Sequence, residues 1–387
     1  RQSLALLPGR PSTLINLAVA LLRQGRANQA LPLLDQVLQV TPQDVDALGH
    51  RGAALSALQR QDEALAVFQQ LVQLAPQRPE AWFHLAQTLQ VLDRPADALT
   101  AYDRCLALRP DHAPACSQRG TALRELGRTE EAAAAFEQAL ALGDDAGLNA
   151  YYLAALRGRA VPERAPRAYV QRLFDDYAPE FDQHLVDTLG YCAPDVLQRL
   201  LVGWQASQGR SGFDAVADLG CGTGLCGPLL RPFARQLVGC DLSTAMLLKA
   251  RQRDCYDALF KVELEHFLRH ELQSFDVLVS ADTLCYFGPL DGVCAAAAGA
   301  LRRGGGFVFT VEALDDGHEP WRLQTSGRYA HARHHLEAAL RLAGFEEVNC
   351  ERAVLRQEAG LPVHGWVAWA DLKRRVEPGQ RSPAPGS

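Results

Sequence analysis

The sequence predicts a multidomain protein in which an all-α helical solenoid is followed by an α/β, doubly wound (Rossmann-like) domain that ends in an antiparallel hairpin. Three observations carry this. Aligned with itself at a shift of 34 residues, the first half of the 387-residue chain puts Pro8, Pro42, Pro76 and Pro110 in one column and Ala30, Ala64, Ala98 and Ala132 in another. From residue 216 onward, short apolar runs alternate with helical patterns, which builds a parallel sheet. The first of those runs breaks into the glycine loop DLGCGTG, Asp218 to Gly224.

The repeats come first along the chain. A large column, Leu34, Phe68, Tyr102 and Phe136, keeps phase with a small one, Ala18, Gly52, Ala86 and Gly120, so each unit has a small residue where its paired helices approach. The units run 11–44, 45–78, 79–112 and 113–146, and the proline of each follows the second helix because it cannot continue it. A 34-residue period of this kind is that of tetratricopeptide repeats. Arg26, Arg60, Arg94 and Arg128 form a further column in the turn between helices, read as a solvated turn feature. Residues 1–10 read as the remnant of an earlier repeat, and without an initiator Met the natural array is expected to be longer. A capping helix, Leu148 to Leu156, and a Pro/Gly linker fill residues 147–168.

The glycine loop sets the chemistry. Gly220, Gly222 and Gly224 let the backbone take positive φ and approach a ligand where a Cβ would collide. The dinucleotide fingerprint needs its third glycine at 225, which is Leu225. Asp218, two residues before the first glycine, would repel a pyrophosphate and suits a cofactor with a positively charged amino group, which favours S-adenosylmethionine over NAD. Asp241 ends the second apolar run, where a carboxylate can accept from both ribose hydroxyls.

On these motifs the chain resembles the class I S-adenosylmethionine-dependent methyltransferases over about residues 170 to 371, and more closely the bacterial methyltransferases with N-terminal tetratricopeptide repeats. The resemblance implies that Asp218, Gly220, Cys221, Gly222 and Gly224 lie under the methionine part of the cofactor and that Asp241 holds the ribose. It also implies that Leu242 and Met246 flank the adenine and that Glu263, followed by Leu264, meets its exocyclic amine. Tetratricopeptide arrays often bind peptides on a concave face, here with Asn16, His50, His84 and Gln118 as a polar ladder. The same column also reads as a wet helix face, or as a surface docking on the catalytic half. The neighbouring column Ile15, Gly49, Phe83 and Ser117 lacks the Lys or Arg of repeats that clamp a C-terminal carboxylate.

Residues 169–212 are expected to form lid helices. Phe174, Tyr177, Phe181 and Leu185 recur at helical spacing; periodicity alone does not separate a lid from a packed amphipathic helix, and the resemblance implies the lid, with Tyr177 and Tyr191 touching cofactor. The core, 213–372, is expected to hold strands at 216–220, 237–241, 259–263, 275–281 and 306–312. Helices are expected near 226–234, 244–253, 265–272 and 289–302, and a hairpin at 347–355 and 363–371. Residues 373–387 read as a disordered tail. Ligands in such sheets lie beyond the strand C-termini, so Gly220, Asp241, Glu263 and Asp282 are expected to share one crevice.

Asp282 and Tyr286 follow the fourth strand, without the Pro-Pro-aromatic motif of adenine or amide methylation, which leaves the acceptor open. The cluster Tyr329, His331, His334 and His335 is the richest supply of acid–base groups, and Tyr329, His331 and Tyr286 are the catalytic candidates. His331 reads as a base or substrate contact, or as a helix-start histidine without chemistry. With His335 it could also form a metal pair on one helix face, but no third ligand is evident and no metal is expected. A net charge of −6 disfavours broad capture of nucleic acid. With 48% hydrophobic residues but no 18-residue apolar run, no membrane span is expected. Ten scattered cysteines without a C-x-x-C pair, and no signal peptide, point to reduced thiols and a cytoplasmic protein. Cys221 and Cys226 read as small residues filling tight space.

Overall fold

A computed structural model describes residues 10–315, 317–358 and 360–372. The expected repeat remnant at the N-terminus, apart from Arg10, and the tail 373–387 lie outside them. The chain divides into two compact units, Arg1–Arg157 and Gly158–Ser387.

The first unit is a run of paired helices: α1 (Pro11–Arg23) with α2 (Ala27–Val40), α3 (Val45–Ala57) with α4 (Gln61–Leu74), α5 (Pro79–Val91) with α6 (Pro95–Leu108), α7 (Ala113–Glu125) with α8 (Thr129–Ala141), then α9 (Ala146–Arg157). The small and large columns meet in the interior. A Cβ at Gly52 would stand 2.5 Å from the Phe68 ring, and one at Gly120 2.8 Å from the Phe136 ring. The arginine column has a definite task, since Arg60, Arg94 and Arg128 each precede the second helix of a pair and bridge to Glu63, Asp97 and Glu131 three residues on. These half-exposed pairs are screened by solvent and add little to stability individually.

The second unit opens with α10 (Arg167–Tyr177), a helical turn at Phe181–Gln183 and a π-type turn at His184–Thr188, then α11 (Ala193–Ser207). Pro179 ends α10, so the expected single helical face is broken, because proline lacks the N–H and restricts the residue before it. The core then follows: β1 (Phe213–Leu219), α12 (Gly227–Leu230), β2 (Ala234–Asp241), α13 (Thr244–Gln252), β3 (Ala258–Lys261), α14 (Leu264–His270), β4 (Phe275–Ser280), α15 (Asp291–Ala300), β5 (Leu301–Ala313), β6 (Trp321–Leu323), β7 (Tyr329–His331), α16 (Arg333–Leu342), β8 (Phe345–Glu358) and β9 (Leu361–Leu372). Strands β3, β2, β1, β4 and β5 lie parallel in that order, and β9 then β8 add antiparallel beyond β5.

Two expectations need correction. The helix expected over 226–234 shortens to α12 and a 3-10 turn at Arg231–Phe233, since Pro232 interrupts it. The helix expected to reach 302 stops at Ala300, because Leu301 already pairs with Phe275 and the Gly304–Gly306 run does not sustain a helix. The hairpin β6–β7 was not foreseen, and β7 pairs parallel to the last residues of β5 at Glu312 and Ala313.

Filling the small column should break the repeats. Gly52→Val pushes a branched side chain into the buried Phe68 ring and should cost about 1–3 kcal/mol, read as a lower thermal midpoint of the helical signal; an unchanged midpoint would contradict this packing.

Candidate active site

The C-terminal ends of β1, β2 and β4 open on a cavity of about 280 Å³. Loop geometry explains why glycine stands where it does. Gly220, Gly222 and Gly224 have φ of +69°, +54° and +82°, and a Cβ on Gly220 would collide with the Thr283 hydroxyl. The Gly220 and Cys221 amides donate to the Cys240 carbonyl at 2.8 and 3.0 Å, tying the loop to β2. Asp241 completes the tie, its two oxygens accepting from the Gly222 amide at 2.9 Å and the Ser243 amide at 2.7 Å.

The structure brings Gly220, Gly222, Asp241, Leu242, Glu263, Leu264, Asp282, Tyr177, Tyr191 and Tyr286 to this cavity. Other residues named from the sequence lie behind its wall. Asp218 is buried under the loop and accepts from the Tyr256 hydroxyl at 2.6 Å. Cys221 is buried without lining the cavity, and Gly224 faces Tyr256 and Ala250. Met246 is buried in the first turn of α13, where its amide donates to the Ser243 side-chain oxygen that caps the helix, at 3.1 Å.

Two of the catalytic candidates fall outside the cavity. Tyr329 is fully buried and donates its hydroxyl to the Pro162 carbonyl at 2.6 Å. His331, 0% exposed, lies on β7 and stacks on His335 of α16 at 5.7 Å, so the two rings meet across elements rather than along one helix. Burial holds the His331 imidazole down at about 3, so it stays neutral at ordinary pH. His334 sits exposed on α16. Among the described residues, no group of three or more His, Cys, Asp or Glu side chains is placed to hold a metal.

Sequence reasoning missed four arginines that line the cavity: Arg164, Arg167, Arg328 and Arg356. Arg167 reaches Glu263 at 3.0 Å, and Glu263 also caps α14 by accepting from the Glu265 and His266 amides. Arg356, nearly buried, bridges Asp282 at 3.1 Å, Glu358 at 2.8 Å and Glu312. Arg328, directly before β7, shares two of those carboxylates, pairing with Glu312 at 2.7 Å and with Glu358. The opposite wall is apolar: Leu173, Phe174, Phe181, Leu185 and Leu189. It is pinned to the core where Asp175 accepts from the Ser243 hydroxyl at 2.6 Å, Lys249 donates to the Pro179 carbonyl at 2.8 Å, and Arg253 pairs with Asp182 at 2.6 Å.

Burial pushes the Asp218 carboxyl up to about 7, helped by the nearby Asp241 charge and opposed by the Tyr256 hydrogen bond. A folded-state value above the ordinary 3.8 means that bound protons stabilise the fold below about pH 4, and that this stability is lost as pH rises towards 7. Asp218→Asn should therefore gain thermal midpoint relative to the unaltered chain between pH 4 and 7. A difference that does not change with pH would contradict the assignment.

Comparisons with known proteins agree with both halves. Residues 217–309 match the model of a methyltransferase domain, and residues 15–79 and 77–145 match models of tetratricopeptide repeats. The biotin biosynthesis bifunctional protein BioHC of Saccharophagus degradans (strain 2-40 / ATCC 43961 / DSM 17024) is 27% identical over 225 residues, 52% of this chain and 38% of that protein, so the match spans about two fifths of the relative's length. Among solved structures, a putative S-adenosylmethionine-dependent methyltransferase from Listeria monocytogenes is 19% identical, with 42% of this chain and 91% of that one covered and a TM-score of 0.34. YrrB, described as a tetratricopeptide protein with an unusual peptide-binding site, is 19% identical over 41% of this chain and 81% of its own, at a TM-score of 0.36. The chain thus carries tetratricopeptide repeats within residues 15–145 and a methyltransferase domain at 217–309.

Proposed function

We propose that the protein is an S-adenosylmethionine-dependent methyltransferase that acts on a small acceptor, with the repeats recruiting a protein or peptide partner. The observation that carries this reading is the Asp241 carboxylate at the end of β2, inside the cavity and beside the positive-φ turn at Gly220 and Gly222.

These residues fit the cofactor. The side-chain-free turn gives close backbone approach, and Asp241 keeps lone pairs beyond its two amide bonds for a ribose diol. Leu242 and Leu264 offer apolar faces to the adenine, and Glu263 an acceptor for its amine. When bound, the cofactor supplies an electrophilic methyl group on a sulfonium. The protein's task is to align an acceptor with it and keep water out. Tyr177, Phe181, Leu185 and Tyr191 supply the apolar cover, and in this reading the segment 167–191 is a lid latched by Asp175, Lys249 and Arg253. That apolar cover over a cavity of about 280 Å³ supports a small acceptor.

On the repeats, the ladder of exposed Asn16 and half-buried His50, His84 and Gln118 supports contact with an extended peptide. His84 stacks on Phe68 at 5.5 Å with its Nδ1 against Gln87, which orients the ring. All ten cysteines are free, which supports a reducing, cytoplasmic setting. Among the described residues, no helix is long and apolar enough to cross a membrane.

Asp241→Ala should weaken S-adenosylmethionine binding by tenfold or more in calorimetry, since a hydrogen bond to a charged group contributes about 1.5–3 kcal/mol. Unchanged affinity would refute the ribose assignment. Incubating the unaltered chain with methyl-labelled cofactor and cell extract should then label small molecules. Label confined to protein would replace the acceptor class with a protein or peptide, and binding without any transfer would leave a cofactor-stabilised adaptor.

A further inference from the structure

Resting on the methyltransferase reading, we propose that the acceptor carries a carboxylate and that Arg328 receives it, in exchange for Glu358. Two guanidiniums on this wall, Arg328 and Arg356, are shared among three carboxylates. Two of these belong to the body of the domain. Asp282 follows β4, where it accepts from the Thr310 hydroxyl at 2.6 Å, and the Glu312 side chain on β5 is 8% exposed. The third differs in kind: Glu358 ends β8, its side chain is 40% exposed, and it does not line the cavity.

The donor geometry of Arg328 explains why exchange is open there. Its buried Nε lies 2.7 Å from Glu312 without a well-formed hydrogen bond, its Nη2 donates to Glu358, and its Nη1 donates no hydrogen bond to a described residue. The Nη1–Nη2 edge is one of the two edges on which a guanidinium grips a carboxylate with parallel hydrogen bonds. Here half of that edge is without a hydrogen bond and the other half is held by the half-exposed Glu358. Arg356 has no such edge, because Nε, Nη1 and Nη2 are each committed to a carboxylate. An acceptor carboxylate that takes the place of Glu358 on Arg328 leaves that guanidinium facing two carboxylates, as it does now, while Glu358 keeps its bond to the Arg356 Nε at 2.8 Å. A cationic acceptor finds no unpaired carboxylate on this wall, and a neutral one would not replace Glu358.

The test uses the full chain, methyl-labelled S-adenosylmethionine and the small-molecule fraction of a cell extract, divided by anion exchange into an anionic pool and a neutral and cationic pool. Label should enter the anionic pool, and treating that pool with a water-soluble carbodiimide and methylamine, which caps carboxylates as amides, should abolish transfer. Treating it with phosphatase should leave transfer intact. At limiting pool concentration Arg328→Gln should lower transfer at least tenfold and Glu358→Gln should raise it, with S-adenosylhomocysteine affinity within twofold in both variants as the control for folding. Transfer confined to the neutral and cationic pool, transfer that survives carboxylate capping, or an Arg328→Gln rate equal to that of the unaltered chain would overturn the proposal while leaving the methyltransferase reading in place. Cofactor binding without transfer to any pool or protein would overturn both.

Discussion

The second unit depends on one carboxylate. Asp241 ends a buried parallel strand and spends one oxygen on the Gly222 amide of the neighbouring loop and the other on the Ser243 amide that starts the next helix. Those bonds tie the glycine loop after β1 to the end of β2 beside the cavity. Burial raises the Asp241 carboxyl above its ordinary value, and three backbone amides, those of Ser243, Gly222 and Leu242, oppose this by favouring the charged form. A loop without glycine could not reach the carboxylate, since Gly220 and Gly222 both take left-handed φ and Gly220 has no room for a Cβ beside Thr283.

The arginine-lined wall is built differently, from parts distant in sequence. The β6–β7 hairpin lies along the end of β5 and delivers Arg328, while the antiparallel β8 delivers Arg356 against Asp282 and Glu312. Polar groups gather on this wall and aromatic groups on the other: Phe174 meets Tyr286 edge-on at 5.7 Å and Tyr177 meets Phe181 at 5.1 Å. A reaction that needs alignment and exclusion of water, rather than a strong base, suits such a chamber. No histidine lines it, and its tyrosines Tyr177, Tyr191 and Tyr286 are all pushed above the ordinary phenol range by burial.

Local signals were legible and long-range ones were not. The repeat could be read because its small and large columns answer one steric demand four times over, and the glycine loop because positive φ leaves few residue choices. The strand ends at Asp241 and Asp282 followed from the rule that ligands sit beyond the carboxyl ends of a parallel sheet. The choice of Tyr329 and His331 failed on a packing detail: Arg328, next to them in the chain, faces the cavity, whereas they are buried away from it. Acid–base residue types drew attention there, and nothing local distinguished the inward face. Arg356 lies on a strand whose pattern reports only a hairpin, so its three carboxylates became visible only with the tertiary fold. Asp218 had the right position for the loop motif, but its side chain turns to Tyr256, a partner no motif names.

The central claim is that Asp241 grips the ribose of a sulfonium nucleoside. A crystal structure with S-adenosylhomocysteine measures this directly. The account predicts both ribose hydroxyls at hydrogen-bond distance, roughly 2.5–3.0 Å, from the Asp241 carboxylate, with the amino-acid end of the ligand over Gly220 and Gly222. A ligand bound elsewhere, or a ribose turned away from Asp241, would contradict it.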